Sequence, residues 1–324
     1  MRRSRPDDGP PAAAADGGFD IAAPRGGLRD VWRFSHEAMA TVYEVHGMHA
    51  NAQYAAQAAQ AAFDLVDRLE SQLSRFLPNS DVARINRLAP GETTRVGDAT
   101  MECIVIARHV FDLTGGGFDV SIGTGLPSLD LDADDGVVRA ETGEVRIDLG
   151  GIGKGYAIDL MAELLEEWGI ERALIHGGFS SVMALEAPAD RDGWPLTLSD
   201  PASPSTVLAR LSVRQTALGA SGLRKGDHIV DPRTGRPVRG RRAAWVAVPR
   251  PEPAGAGARM TARPRLAPAA VADALTTAFM LLTLRDIESL CRRNPGLEAW
   301  ILPPSAGRPQ DGSRLRHFGD ALSG

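Results

Sequence analysis

Cysteine is almost absent from this chain: among 324 residues only Cys103 and Cys291 carry a thiol. Each lies in an apolar, periodic stretch, and no paired spacing suggests a zinc site, a redox motif or a disulfide framework. Both read as small buried hydrophobes. An excess of basic charge is missing too. A formal net charge of −5 argues against broad nucleic-acid binding, which needs a concentrated basic field. The clusters at Arg2–Arg5 and Arg239–Arg242 read as solvated loop. No run approaches the ~18 consecutive apolar residues of a membrane span. The start, MRRSRPDDGPPAAAADGGFD, opens on basic residues but lacks the ~7–15-residue apolar core of a secretory signal. As written, the protein is expected to remain in the cytoplasm. There is no Gly-x-Ser-x-Gly elbow, and neither cysteine sits in an electropositive setting, so nucleophilic hydrolases are set aside. Internal repeats are absent.

What is present fits one large domain or two modest ones: 43% apolar and 24% charged residues supply a sizeable core. Residues 1–30, rich in Ala, Pro, Gly and Asp, are expected to be a disordered tail. An ordered domain follows over 31–310, then a short tail over 311–324. Thr41–His46 alternates like a strand. Phe63, Val66, Leu69, Leu73 and Phe76 recur at three- and four-residue steps, which predicts one long helix ended by Pro78 and Asn79. Ser80 is placed to cap a short helix through Asn86. Asp98 is read as the N-cap of a third helix, which Gly115–Gly117 end. Residues 128–147 read as a hairpin region closed by a strand over Glu144–Leu149. DLGGIGKGYAIDLMAELLEEWG (148–169) reads as strand, glycine-rich turn and helix. Short β-rich runs follow, then a mobile loop at 249–269, helices over Val271–Leu282 and Asp286–Arg293, and a last strand at Glu298–Leu302. Strands and helices without a regular βαβ rhythm point to an α+β fold of mixed, mainly antiparallel sheets with packed helices.

Three stretches could carry chemistry. In DLGGIGKGY, four glycines between strand and helix let backbone approach a ligand, helix N-terminal amides favour phosphate, and Lys154 adds a point charge. It is not a Walker A loop, because Gly155 stands where Ser or Thr is required, and it does not fit GxGxxG. A purely structural turn is the competing reading. In HIVDPRTGRP (228–237), His228 lies at the entrance of a tight reversal, although a single histidine can equally be a surface or core residue. In ADALTTAF (272–279), Asp273 and Thr277 stand four apart, so both oxygens share a helix face and could serve a hard cation such as magnesium. Equally, Asp273 could be a helix N-terminal charge and Thr277 could bond back to a carbonyl. In DLDADDG, Asp130, Asp132 and Asp134 alternate as in a calcium loop, but Asp135 replaces the required glycine. It reads as a solvated hairpin tip.

The order of these blocks resembles the FAD:protein FMN transferase (ApbE) family. The resemblance rests on MATVYEV (39–45), SRFLPNSDVARIN (74–86), GGGFDVSIG (115–123), IDLGGIGKGYAIDLMAELLEEWGI (147–170), LIHGGF (174–179), GASGLRKGDHIVDPRTGRP (219–237) and ADALTTAFMLL (272–282). It implies a T-fold-like α+β architecture with FAD bound between sub-domains. It implies that Met39, Phe76, Gly117, Phe118, Asp119, Asp148, Lys154 and Val230 line the FAD site. It also implies magnesium held by the Gly151 carbonyl, Asp273 and Thr277, with His228 as general base. The implied reaction moves FMN from FAD, as substrate, to a Ser/Thr hydroxyl of an acceptor protein and releases AMP. An FAD pyrophosphatase and a non-catalytic flavin-binding protein are the alternatives. Several positions depart from the family pattern. Ala40 replaces a glycine, Ala220 a threonine and Phe179 an aspartate. The segment between Gly222 and His228 lacks the customary tyrosine, the stretch after Gly123 is abbreviated, and the 249–269 loop is longer than usual. The family is normally exported or lipid-anchored, which contrasts with the cytoplasmic expectation.

Overall fold

The computed structural model describes residues 2–4 and 19–21 (backbone only), 31–142, 145–222, 230–238, 241–251, 267–304 and 315–319. Its helices are α1 (Ala52–Leu73), α2 (Asp81–Ile85), α3 (Asp98–Leu113), α4 (Gly153–Glu167), α5 (Pro268–Phe279) and α6 (Leu284–Arg293). The early strands are β1 (Arg2–Ser4), β2 (Phe19–Ile21), β3 (Val31–Ala38), β4 (Thr41–Met48), β5 (Thr93–Arg95), β6 (Leu129–Asp132) and β7 (Val137–Ala140). Those after α4 are β8 (Ala173–Gly177), β9 (Ser181–Ala184), β10 (Trp194–Asp200), β11 (Ser203–Val213) and β12 (Thr216–Gly222). The last are β13 (Val230–Asp231), β14 (Arg236–Pro237), β15 (Ala243–Pro249), β16 (Glu298–Leu302) and β17 (Arg316–Phe318).

A nine-stranded sheet, ordered β1-β3-β4-β8-β9-β12-β15-β16-β17, forms the spine. Every strand pair among the described residues is antiparallel, as an α+β fold of mainly antiparallel sheets requires. Its two faces are read off by alternation. Tyr43, Val45, Ile175, Met183 and Val246 point to the helices and join Phe63, Val66, Ile104, Met161 and Phe279 in the larger core. Leu174, Val182, Leu218, Trp245 and Trp300 point the other way and bury against Trp194, Leu196 and Leu198 of the small sheet β11-β10-β2. Being covered on both sides, the central strands read as nearly unbroken apolar runs rather than as alternating ones. No described helix is long and apolar enough to cross a membrane.

Local chemistry explains the element boundaries. Asn51 caps α1 by accepting from Gln53 and Tyr54 amides, and Ser80 caps α2 by accepting from Ala83 N. Other boundaries differ from expectation. The apolar stripe of α1 stops at Leu73. Ser74 is its C-cap, and Phe76 lies beyond the helix, 78% exposed under the Arg75 guanidinium. Gly97, not Asp98, caps α3. Between Glu144 and Leu149 no strand forms among the described residues. Val145 and Ile147 are buried as alternation suggests, but the Asn86 side chain takes both the amide and the carbonyl of Ile147 (2.7 and 2.9 Å). That satisfies the backbone without a ladder partner. Leu149–Gly151 is then a 3₁₀ turn capped by Asp148, and α5 begins at Pro268 and ends at Phe279, earlier than expected. Within the stretch read as an N-terminal tail, Arg2–Ser4 pairs with β3 and Phe19–Ile21 with β10. Most of the 249–269 loop lies outside the described residues.

Candidate active site

The α4–α5 seam places the central carboxylate. Gly155 is the contact point: a Cβ there would overlap the Ala269 carbonyl, so only glycine lets the two helices cross so closely. One turn further along α4, the buried Asp159 accepts from the amides of Ala269 (3.0 Å) and Ala270 (2.9 Å). It thereby caps α5, whose own N-cap residue Ala267 offers no side-chain bond. Held at these two points, α5 presents Asp273 to the glycine turn. Its Oδ2 accepts from Gly155 N at 2.9 Å, and Ser181 Oγ lies 2.7 and 2.8 Å from its two oxygens. Lys154 Nζ stands 3.9 Å away. Burial pushes the Asp273 carboxyl up to about 6, against the opposing pull of Lys154, Ser181 and the Gly155 amide. Asp159 is also raised by burial, against its two backbone bonds.

Above Asp273 opens a cavity of about 680 Å³, within the ~300–1,000 Å³ of ordinary ligand pockets. Met39, Gly117, Phe118, Asp119, Asp148, Gly151, Lys154, Val230, Asp273 and Thr277, all singled out in the sequence, line it together. Phe76 does not line it. His228 lies outside the described residues.

Each wall has its own local reason. Met39 and Ala40 form the two-residue turn between β3 and β4, both at positive φ (48° and 56°), the hairpin geometry that matches strand twist. Asp119 folds the next segment around itself: Oδ1 accepts from the Ser121 amide and hydroxyl, and Oδ2 from Gly123 N. Asp148 accepts from Gly150 N (2.9 Å) and pairs with Arg75 Nε (2.9 Å). Lys154 is the only cationic side chain among the described lining residues. It stands at the start of α4, where unpaired helix amides favour an anion.

The donor set suits a hard cation. Asp273 and Thr277 are one helical turn apart and both face the cavity. The Thr277 hydroxyl has no hydrogen-bond partner among the described residues, whereas its neighbour Thr276 is occupied with the Asp273 carbonyl (2.7 Å) and Ser221 (2.9 Å). A Cβ on Gly151 would lie 3.9 Å from Thr277 Oγ1 and 3.2 Å from the Phe118 ring, so the bare backbone of that turn sits close to both. A carboxylate, a free hydroxyl and a bare turn of backbone form the kind of partial oxygen shell magnesium accepts, completed by water and phosphate.

Three contributors were not singled out as site residues in the sequence. Ser181, fully buried, is the partner that holds Asp273. Ile122 at φ 50° and the Gly178–Ser180 turn line the cavity beside residues that were identified. The last of these could have been found from its glycine pair, and Ser181 could not.

Comparison with known proteins then gives a consistent result. The profile of the ApbE family matches residues 39–301. The FAD:protein FMN transferase of Vibrio cholerae is 23% identical over 250 residues, covering 64% of this chain and 73% of its own. That of Klebsiella pneumoniae is 23% identical over 220 residues, 55% of this chain and 62% of its own. Among solved structures, the flavin transferase ApbE from Vibrio cholerae superposes with a TM-score of 0.72 at 18% identity, over 90% of this chain and 97% of that one.

Proposed function

The chain belongs to the ApbE family, and from that premise we propose that it moves the FMN half of FAD onto a serine or threonine hydroxyl of an acceptor protein, releasing AMP. One observation carries the reading. Asp273, Thr277 and the Gly151 turn meet on the wall of a cavity large enough for a dinucleotide, with Lys154 at the N-terminus of α4 beside them. Asp273, Thr277 and the Gly151 carbonyl would hold magnesium, which when bound neutralises charge growing on the pyrophosphate.

The chain's own residues do the rest. Lys154 and the first amides of α4 draw the pyrophosphate to the glycine turn. Phe118 and Met39 offer apolar and polarizable surface to a flat ring. Ser181 and Gly155 N fix the Asp273 carboxylate in one orientation. The acceptor hydroxyl is a poor nucleophile until its proton is removed, and His228, entering the HIVDPRTG reversal, is assigned that role. An imidazole is the side chain suited to taking a proton at neutral pH. The P–O bond to the FMN side forms as the P–O bond to AMP breaks, and the proton passes to His228.

The test is incubation of the purified protein with FAD and magnesium, with and without a domain bearing an exposed Ser/Thr acceptor motif. Mass spectrometry follows the acceptor and chromatography follows AMP. An acceptor heavier by one FMN with matching AMP is expected, and both should fall together by about two orders of magnitude or more in Asp273→Ala. AMP with free FMN and no adduct would replace transfer by hydrolysis. FAD left intact would reduce the protein to a flavin carrier.

A further inference from the structure

A second cluster of ligating side chains lies outside the cavity, on the other face of the main sheet from Tyr43 and Val45. Glu44 and His46 are two residues apart on β4 and so share a face. His176 on β8 sits directly across from Glu44 in the strand register. Glu44 and His176 are buried and His46 half-buried. Glu44 Oε2 is 2.9 Å from His176 Nε2 and 3.3 Å from His46 Nε2, and the two imidazoles stack with centroids 5.6 Å apart.

Proton accounting makes this arrangement unusual. His176 Nδ1 lies 2.9 Å from the Gly178 carbonyl, which can only accept, so the Nδ1 hydrogen is committed there. The opposite nitrogen then needs a second proton, or a metal, to face a carboxylate at 2.9 Å. Arg33 Nε also donates to the same Oε2 at 3.1 Å, and its second guanidinium nitrogen takes Oε1. Three nitrogens thus converge on an oxygen with two in-plane lone-pair sites. One cation bound by Oε2 and both Nε2 atoms removes the excess, leaving the second lone pair to Arg33. The spacing agrees. Tetrahedral zinc with bonds of about 2.0–2.1 Å sets its ligand atoms roughly 3.3 Å apart and the ring centres of two histidines roughly 5 Å apart. The bond from His176 Nδ1 to a backbone carbonyl is the usual outer-shell anchor of a metal-bound imidazole.

We propose that Glu44, His46 and His176 form a binding site for a borderline divalent ion of the zinc class, separate from the oxygen site at Asp273. Two imidazoles disfavour magnesium, which prefers oxygen ligands. The site ties β4 to β8 immediately before the Gly178–Ser180 turn, and all three residues of that turn line the cavity. The metal would therefore brace that wall of the cavity. The inference does not depend on the transfer reaction.

The experiment uses the full chain without a histidine tag, stripped with chelator and then titrated with zinc in excess magnesium, so that the oxygen site is occupied. Uptake of about one zinc per chain is expected. Cobalt in its place should give the intense visible bands of a four-coordinate site. Glu44→Gln and His46→Ala, checked for folding by circular dichroism, should lose stoichiometric uptake, whereas Asp273→Ala should keep it. No zinc uptake by the wild type, six-coordinate cobalt spectra, or equal uptake by folded Glu44→Gln and His46→Ala would each overturn the site. The three side chains would then be a proton-bridged cluster.

Discussion

The two ends of the α4–α5 seam each hold a buried aspartate, and they differ in what surrounds the carboxylate. At the core end, Asp159 spends its oxygens on two amides of the α5 N-terminus and does not line the active-site cavity. At the open end, Asp273 accepts from one amide and one hydroxyl, stands 3.9 Å from a lysine and faces about 680 Å³ of free space. Burial raises both carboxyls, so desolvation alone does not distinguish structure from function. Unfilled coordination capacity beside a cavity does.

Paired substitutions break this comparison most sharply. Asp273→Ala should cut flavin transfer by about two to three orders of magnitude, the scale of losing one transition-state charge contact. Its loss of melting temperature should be the smaller of the two, since only one amide, that of Gly155, loses its acceptor while a desolvated carboxylate is removed. Asp159→Ala should do the reverse. Two α5 amides lose their acceptor at about 1–3 kcal/mol each, while activity per folded molecule persists. Transfer assays beside thermal unfolding decide it, and a large activity loss in Asp159→Ala with unchanged stability would reverse the assignment. Gly155→Ala tests the seam itself. Its methyl must displace the Ala269 carbonyl, which should cost about 1–3 kcal/mol and weaken magnesium binding together with stability. A folded, fully active Gly155→Ala would mean the helices need not cross so closely.

A milder perturbation is pH. The folded Asp273 carboxyl titrates near 6 against an unfolded value of 3.8. The native state therefore holds a proton that the unfolded chain has released, and its contribution to stability is full below about 4 and lost as pH rises through about 6. Magnesium competes with that proton. Its stabilisation of the fold should be small at pH 5 and larger at pH 7.5 by thermal shift. Equal shifts at both would place the ion elsewhere.

Much of this was legible in the sequence where the determinants are local. The Asp273–Thr277 spacing, the glycine turn and the Ser80 cap each depend on residues within a turn of one another. The main errors share a cause as well. Phe76 continues the period of the α1 stripe, but Ser74 had already ended the helix. Val145 and Ile147 alternate and are buried, yet the backbone of Ile147 is satisfied by an asparagine side chain 61 residues away. Periodicity reports burial faithfully and partners poorly. Asp159 reaches across 110 residues and Ser181 across 92, and nothing near either residue in the sequence announces the contact.

Ser181 offers the finest test of how the open end of the seam is tuned. Its hydroxyl bonds the Asp273 carboxylate and favours the ionised form, opposing the burial that raises it. Removing it in Ser181→Ala leaves the Gly155 amide and Lys154 as the opposing influences, so the carboxyl should titrate higher. A hydrogen bond to a charged group is worth about 1.5–3 kcal/mol, and 1.36 kcal/mol is about one pKa unit, so the shift should be about one to two units. The acid limb of the transfer-rate profile, and the pH at which magnesium begins to stabilise the fold, should both move upward together, with activity recovered at alkaline pH. A purely structural serine would lower activity at every pH alike and leave the midpoint in place. A midpoint that stays fixed would therefore mean that Ser181 fills space beside Asp273 without setting its charge.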